Sequence, residues 1–480
     1  MLKQIRFEKQ SFTTLFKNVH LCVQIRKILL LMEILIKASQ FILSLSLLIV
    51  LHELGHFIPA KIFKTKVEKF YLFFDYKFSL LKKKVGETVY GIGWIPLGGY
   101  VKIAGMIDES MDKEQLKEEP KPWEFRSKPA WQRLIIMLGG VFVNFVLGIF
   151  IYIMLMYTYG ENYLSNDNVK DGLWVQDSLA INIGLQNGDK VVAVDGEKLR
   201  KFNDMTVAFI NGHNFTIERD GQTIEKELPV DFISKLIDRR KNNEGPIARP
   251  RSPFMIAQVP DSSVNANIGF LDKDIVVGLN GKKVKYYDEV EALLLENKGK
   301  DITIDIKREE KISTLNAKVS DEGKLEVVAY GLSVSDLSKL GYYDLTRIEY
   351  SFAEAIPAGF RKSYETLTSY VKQLKKIFNP KTGAYKGLGG FISIGSIFPS
   401  EWSSETFWNI TAFLSIMLGF MNLLPIPALD GGHVVFTLWE MITRRKPSDK
   451  FLEYAQITGF ILLVALLLFA NGNDIFRLFD

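Results

Sequence analysis

One cysteine, Cys22, is all the thiol chemistry in 480 residues. No internal disulfide can form, and no Cys-rich zinc ribbon or iron–sulfur cluster can be built. Histidine is nearly as scarce, at five, so a metal in this chain has to be held by imidazole and carboxylate. An excess of charge is missing too: 60 Lys and Arg against 55 Asp and Glu leave +5, which excludes a strongly basic nucleic-acid binder. With Gly 36 and Pro 16 there is no collagenous or low-complexity bulk. What is abundant is apolar sequence. Hydrophobic residues make up 47% beside 24% charged ones, a mixture that requires apolar blocks separated by polar ones.

Four blocks are long enough to cross a hydrocarbon core, which takes roughly 20 helical residues. They are Ile34 to Leu51, Leu134 to Tyr157, Phe407 to Ile426 and Tyr454 to Asn471. A single such block reads equally as a buried helix of a large soluble protein; four of them read as a membrane protein. Lys61, Lys64, Lys66, Lys69, Lys77 and Lys82 to Lys84 follow the first span, and Arg444, Arg445, Lys446 and Lys450 separate the third from the fourth. Basic residues beside spans stay in the cytoplasm, so loops 64–128 and 437–453 are expected inside and the long segment after the second span outside. The basic residues Lys3, Arg6, Lys9, Lys17, Arg26 and Lys27 conflict with an outer N-terminus. Residues 1–31 are therefore set apart as an extension, poorly ordered or preceding a start at Met32, without the small-residue cleavage site of a signal peptide.

The outer segment contains an internal repeat. Residues Ile183 to Gly196 (IGLQNGDKVVAVDG) align without gaps on Ile268 to Gly281 (IGFLDKDIVVGLNG). Each copy reads as a turn, a strand of β-branched residues, and an Asp-Gly or Asn-Gly turn closing a hairpin. The pattern resembles PDZ domains, which bind extended peptides by strand addition. The expectation is two inserted, mostly β PDZ domains at 161–244 and 245–338, either binding modules or rigid spacers.

The sharpest local signal is His52-Glu53-Leu54-Gly55-His56. Histidines at i and i+4 share one face of a helix and can share one metal, while Glu53, one position along, can reach a water on it. Two imidazoles and a carboxylate within one turn of an intramembrane helix are costly without a metal or partner. A hydrolytic zinc site takes three protein ligands, and Phe57 to Lys84 offers no H-x-x-G-x-x-H pattern and no well-placed Glu on a second amphipathic helix. Asp430, in Asn422-Leu-Leu-Pro-Ile-Pro-Ala-Leu-Asp430-Gly-Gly-His433, ends an uncharged span before two glycines that let the backbone bend; His433 competes with it by chemistry alone.

His52-Glu-x-x-His56 in the first span together with Asn422-x-x-Pro425-x-Pro427-x-Leu429-Asp430-Gly431 resembles the site-2 protease family of intramembrane zinc metalloproteases, in its bacterial regulator-of-sigma-E branch. The resemblance covers about residues 32–480 and implies a polytopic α-helical membrane protein of four transmembrane helices with two PDZ domains between the second and third. It implies Zn2+ held by His52, His56 and Asp430, with Glu53 as catalytic acid/base. Asn144 stands where the family has Gly-Pro-x-x-Asn, though Val141 replaces the proline, and Phe391 replaces a proline in Gly389 to Gly395. Implied partners are membrane lipid and transmembrane substrates, anti-sigma-factor-like proteins or signal-peptide remnants trimmed beforehand by another protease. The implied location is the bacterial inner membrane, with the PDZ pair extracytoplasmic and the active site near the cytoplasmic face.

The spans delimit segments at 32–63, 129–160, 401–436 and 454–480. Between the first two, Tyr90 to Gly105 reads as a Gly-rich, membrane-associated β-hairpin that dips into the bilayer and offers a strand edge to an unwound substrate, with Gly91 and Gly93 among the substrate-binding candidates beside Asn144 and Asn422. Residues 339–400 mix apolar and basic residues at helical spacing, as in an interfacial helix. The alternative to an enzyme is a catalytically inert, PDZ-bearing membrane scaffold. A transporter is disfavoured, because four spans show no inverted repeat.

Overall fold

The computed structural model describes residues 2–106, 119–241 and 244–479. Its long helices are α1 (Leu2–Ile62), α2 (Ala130–Tyr159), α3 (Phe352–Ile377), α4 (Ser404–Leu423), α5 (Asp430–Thr443) and α6 (Asp449–Phe479). Four segments are long and apolar enough to cross a membrane: Arg26–Ile62 of α1, α2, α4, and Lys450–Arg477 of α6. Large apolar side chains such as Leu35, Phe142, Phe150 and Leu468 stand more than half exposed on them, as helices facing lipid rather than water require. The backbone of α1 is helical without a break from Leu2, so the stretch at 2–31 continues into the first span.

The chain divides into two compact units. The first comprises Met1–Gly160, Glu349–Val371 and Leu388–Asp480, and holds all four membrane-length helices. Helices α1 and α2 cross at two glycines, where a Cβ on Gly139 would lie 1.9 Å from the Gly55 carbonyl oxygen. Only glycine permits that approach, which is why Gly55 sits inside the His-Glu-Leu-Gly-His turn. Helix α4 packs along α2 through Ala412 and Ile416. The first part of α3 packs there as well, with Gly359 against the Ile153 backbone and Phe352 edge-on to Tyr157.

Between α1 and α2 the chain builds four strands: β1 (Val67–Phe74), β2 (Leu81–Val85), β3 (Thr88–Ile92) and β4 (Ile95–Ile103). Their order is β2-β3-β1-β4, with β1 parallel to β3 and antiparallel to β4. The hairpin expected over 90–105 is therefore not formed. Strand β1 inserts between β3 and β4, and the true hairpin is β2–β3, Leu81 pairing with Ile92. The physical reason is at Gly93, whose N–H bonds to the Leu72 carbonyl and whose missing Cβ would meet the Phe74 carbonyl oxygen at 2.2 Å. The chain turns onto β1 instead of back on itself.

The second unit, Glu161–Ile348 with Lys372–Gly387, contains the duplication. Its first sheet runs Gln222–Glu227, Asn214–Arg219, Lys190–Val194, Glu197–Lys198. The second sheet, taken from the opposite edge, runs Lys282–Lys283, Ile275–Leu279, Asp301–Arg308, Lys311–Lys318, with the same connectivity. In both copies the hairpin closes as the dipeptides require, with Asp195-Gly196 and Asn280-Gly281 all at positive φ. Each copy has its own apolar core, around Phe209, Phe215 and Phe232 in the first and Ile302, Ile304 and Ile306 in the second. A shared ion pair pins each copy: Arg219 grips the fully buried Asp189, and Arg308 the fully buried Asp274.

Candidate metal centre

Three polar side chains from two distant stretches meet in the first unit. His52 and His56 lie one turn apart on α1, and Asp430 is the first residue of α5. Asp430 arrives there because the chain breaks after α4. Leu424 is extended, Pro425 and Pro427 cannot continue a helix, and Ala428 takes φ 77° with its N–H held by Gln456 Oε1 at 3.1 Å. A Cβ on Gly431 would strike the Leu424 carbonyl oxygen at 2.2 Å, so the glycine after Asp430 lets α5 fold back tightly on the end of α4.

The donor geometry is compact. Asp430 Oδ2 lies 3.3 Å from the Nε2 of both histidines, and the two Nε2 atoms are 3.2 Å apart. His56 Nδ1 donates to the Ile136 carbonyl at 2.8 Å, which leaves its Nε2 with a lone pair facing the others in the neutral ring. Asp430 Oδ2 is buried without a hydrogen-bond donor. Three donor atoms at this spacing form one face of a tetrahedron whose centre lies roughly 2.0 Å from each, the bond length of zinc to imidazole and carboxylate. The residues fit zinc, and the fourth tetrahedral direction is left for water or substrate. His433 is not part of this group of converging donors; it lines the neighbouring cavity. Gly140 makes room for the rings, since a Cβ there would lie 2.4 Å from His56 Nε2 and 2.6 Å from His52 Cε1.

The three donors open onto a cavity of about 760 Å³ that also takes in Glu53 and Asn422. Glu53 accepts a hydrogen bond from the Val101 backbone N–H of β4. Asn422 Nδ2 stands 3.4 Å from His52 Nε2. Apolar side chains (Leu45, Ile49, Phe74, Met137, Leu418, Phe460) line much of the remainder. Gly98 to Ile103 of β4 form one wall, and among the described residues β4 is an edge strand of its sheet. Gly99 brings that strand against α1, as a Cβ there would lie 2.5 Å from the Ile49 side chain, one turn before His52. The strand is braced by Lys69 and Tyr100, which both hydrogen-bond Asp75. Burial pushes the Asp75 carboxyl up, but the Tyr100 hydroxyl and the Lys69 charge prevail and hold it below the ordinary carboxylate value.

The four residues expected on the substrate side separate. Asn422 lines the cavity. Gly91 lies on β3, paired on both sides and pressed to the Tyr71 ring, and Gly93 is in the turn after it; neither lines the cavity. Gly98 and Gly99 occupy the place expected of them. Strand β1 hid this from sequence reasoning, because its alternation in VEKFYLFF is weak and its parallel pairing is not local. Asn144 is fully buried behind His52, with its amide Nδ2 3.0 Å from His52 Nδ1, and it too is absent from the cavity lining. Helical spacing puts Gly140 and Asn144, i and i+4 on α2, on one face, but which helix that face meets is shown only by the fold.

Against known proteins, residues 40–466 match peptidase family M50. A Campylobacter jejuni protein named as a zinc metalloprotease is 28% identical over 464 residues, covering 94% of this chain and 99% of the relative. The regulator of sigma-E protease RseP of Escherichia coli K12 is 28% identical over 458 residues, covering 92% and 98%. The regulator of sigma E protease of Haemophilus influenzae is 26% identical over 470 residues, covering 93% and 100%.

Proposed function

The chain belongs to peptidase family M50, and from that premise we propose that its zinc is held by His52, His56 and Asp430 and that Glu53 is the catalytic acid/base. It is a zinc metalloendopeptidase of the site-2 protease type, acting in regulated intramembrane proteolysis. The observation that carries the assignment is the convergence of three donor atoms at 3.2–3.3 Å beside a carboxylate in one cavity.

Zinc, when bound, supplies Lewis acidity: it polarises a peptide carbonyl and acidifies water toward a pKa of about 7. The chain's own groups do the rest. Glu53 takes a proton from the attacking water and returns it to the leaving amine, a role worth about 10²–10⁴ in rate. The Val101 N–H keeps the Glu53 carboxylate aimed into the cavity. The Asn422 amide donates to the carbonyl oxygen as negative charge develops on it. His56 is fixed by the Ile136 carbonyl, so its ring does not swing during the cycle.

A substrate helix conceals its peptide bonds in its own hydrogen bonds and has to unwind before attack. The outer edge of β4, which walls the cavity at Gly98 and Gly99, receives the unwound stretch as an added strand. The substrates are transmembrane segments of inner-membrane proteins, of the anti-sigma-factor or signal-peptide-remnant class, already trimmed outside. The basic loops 64–128 and 437–453 put the metal near the cytoplasmic face and the duplicated unit outside. There the two copies act as PDZ domains that admit only substrates with short outer parts.

The test is cleavage of a model transmembrane substrate by the purified protein in detergent. Activity is expected in the wild type, absent with chelator and restored by zinc. Glu53→Gln is expected to keep its zinc and lose cleavage; equal cleavage by zinc-loaded Glu53→Gln refutes the role given to Glu53.

A further inference from the structure

We propose that Asn144 is the positioning residue that sets the ring of His52 for metal binding, by accepting the His52 Nδ1–H on its side-chain oxygen. The proposal rests on the reading that His52 is a zinc ligand.

The two histidines enter the site through different atoms of support. His56 has a backbone carbonyl at Nδ1, an acceptor that can only stabilise a protonated Nδ1 and hence a free Nε2. His52 has no carbonyl there. Its Nδ1 faces the Asn144 amide at 3.0 Å, and an amide can present either of its ends. With Nδ2 toward the ring, Nδ1 is the acceptor, the ring hydrogen sits on Nε2, and the atom aimed at Asp430 has no lone pair to give. In that same orientation Asn144 Oδ1 is buried and has no hydrogen-bond partner, and reversal puts Nδ2 in that position. Reversing the amide puts Oδ1 on Nδ1–H and frees Nε2 for the ion. The nitrogen and oxygen ends occupy nearly the same volume, so the reversal needs no repacking.

The surroundings hold Asn144 in place for this task. It is fully buried on α2, Ser415 Oγ donates to its backbone carbonyl at 2.7 Å, and a Cβ on Gly419 of α4 would crowd its Cβ at 3.3 Å. One turn earlier, Gly140 clears the volume the two rings occupy. A ligating histidine needs an acceptor at its other nitrogen, and removal of such a partner weakens metal binding by about 10–100-fold. Asn144 is the side chain paired with that nitrogen.

The experiment measures zinc dissociation constants by chelator competition on the full-length protein in detergent, with cobalt absorption spectra beside them. Asn144→Leu removes the acceptor and keeps the bulk; Asn144→Asp keeps an acceptor that cannot turn a donor inward. Asn144→Leu is expected to bind zinc about 10–100-fold more weakly and to lose intensity in the cobalt ligand-field bands, while Asn144→Asp stays within about threefold of wild type. Asn144→Ala replaces the leucine variant if that protein does not fold, and the metal-free melting temperature of each variant reports any merely structural effect. Wild-type zinc affinity in Asn144→Leu overturns the proposal, as does Asn144→Asp binding as weakly as Asn144→Leu with an unchanged metal-free melting temperature. His56→Ala separates the two levels: if it keeps stoichiometric zinc, the ligand assignment itself fails, whatever Asn144 does.

Discussion

Asp189 and Asp274 in the duplicated unit are as buried as carboxylates can be, at 0% exposure, and each has brought its own cation. Arg219 and Arg308 reach both oxygens of their partner at 2.6–2.8 Å, and the Gln186 and Leu271 backbone N–H groups complete the set. Asp430 in the membrane unit is handled in the opposite way. Two imidazole nitrogens stand 3.3 Å from its Oδ2, and that oxygen has no hydrogen-bond donor. A buried carboxylate with a built-in guanidinium is finished architecture; one that faces only two imidazole nitrogens is a site that a cation from outside can complete. The distinction separates structural from functional charge without appeal to any sequence motif.

The comparison breaks or sharpens under four manipulations. The largest effect is expected from removing the ion: chelation should abolish cleavage and lower the stability of the membrane unit by about 4 kcal/mol where free zinc had been near a thousandfold above its dissociation constant, leaving the duplicated unit's melting unchanged. Next comes Glu53→Gln, with a rate loss of about 10²–10⁴ in a cleavage assay and no loss of zinc by elemental analysis. Arg219→Met should do the reverse, costing the first repeat about 1–3 kcal/mol in denaturant melts because Asp189 is left without its partner, with zinc content untouched. The smallest is a pH effect at the junction of the two repeats. Hydrogen bonds from Lys285 and Tyr286 hold the Asp171 carboxyl below the ordinary carboxylate value. A depressed folded-state pKa gives stability that is present above about pH 4 and lost as pH falls through the folded value. Melting temperature of the duplicated unit should therefore drop in acid, and less steeply in Asp171→Asn.

Much of this was legible in the sequence, for physical reasons that differ by element. The four spans were readable because lipid tolerates little besides long apolar helices, and the hairpin turns because Asp195-Gly196 and Asn280-Gly281 take positive φ cheaply. The His52 and His56 pair was readable because helical spacing alone puts both on one face. Asp430 was a candidate because two glycines follow a charge at the end of an apolar run. The β-sheet was not legible: its order depends on β1 pairing in parallel with β3 and antiparallel with β4, contacts that no local pattern encodes, and Gly91 and Gly98 look alike until β1 is placed between their strands. Nor was the contact of Asn144 with His52, since a residue on the second span meets the first only through the crossing at Gly55 and Gly139.

Elemental analysis of the detergent-purified, folded protein beside Asp430→Ala tests the central claim most directly. About one zinc per chain in the wild type and a large loss in the variant is the predicted result. A wild type free of transition metal after zinc loading, or a variant that retains its full complement, would contradict it.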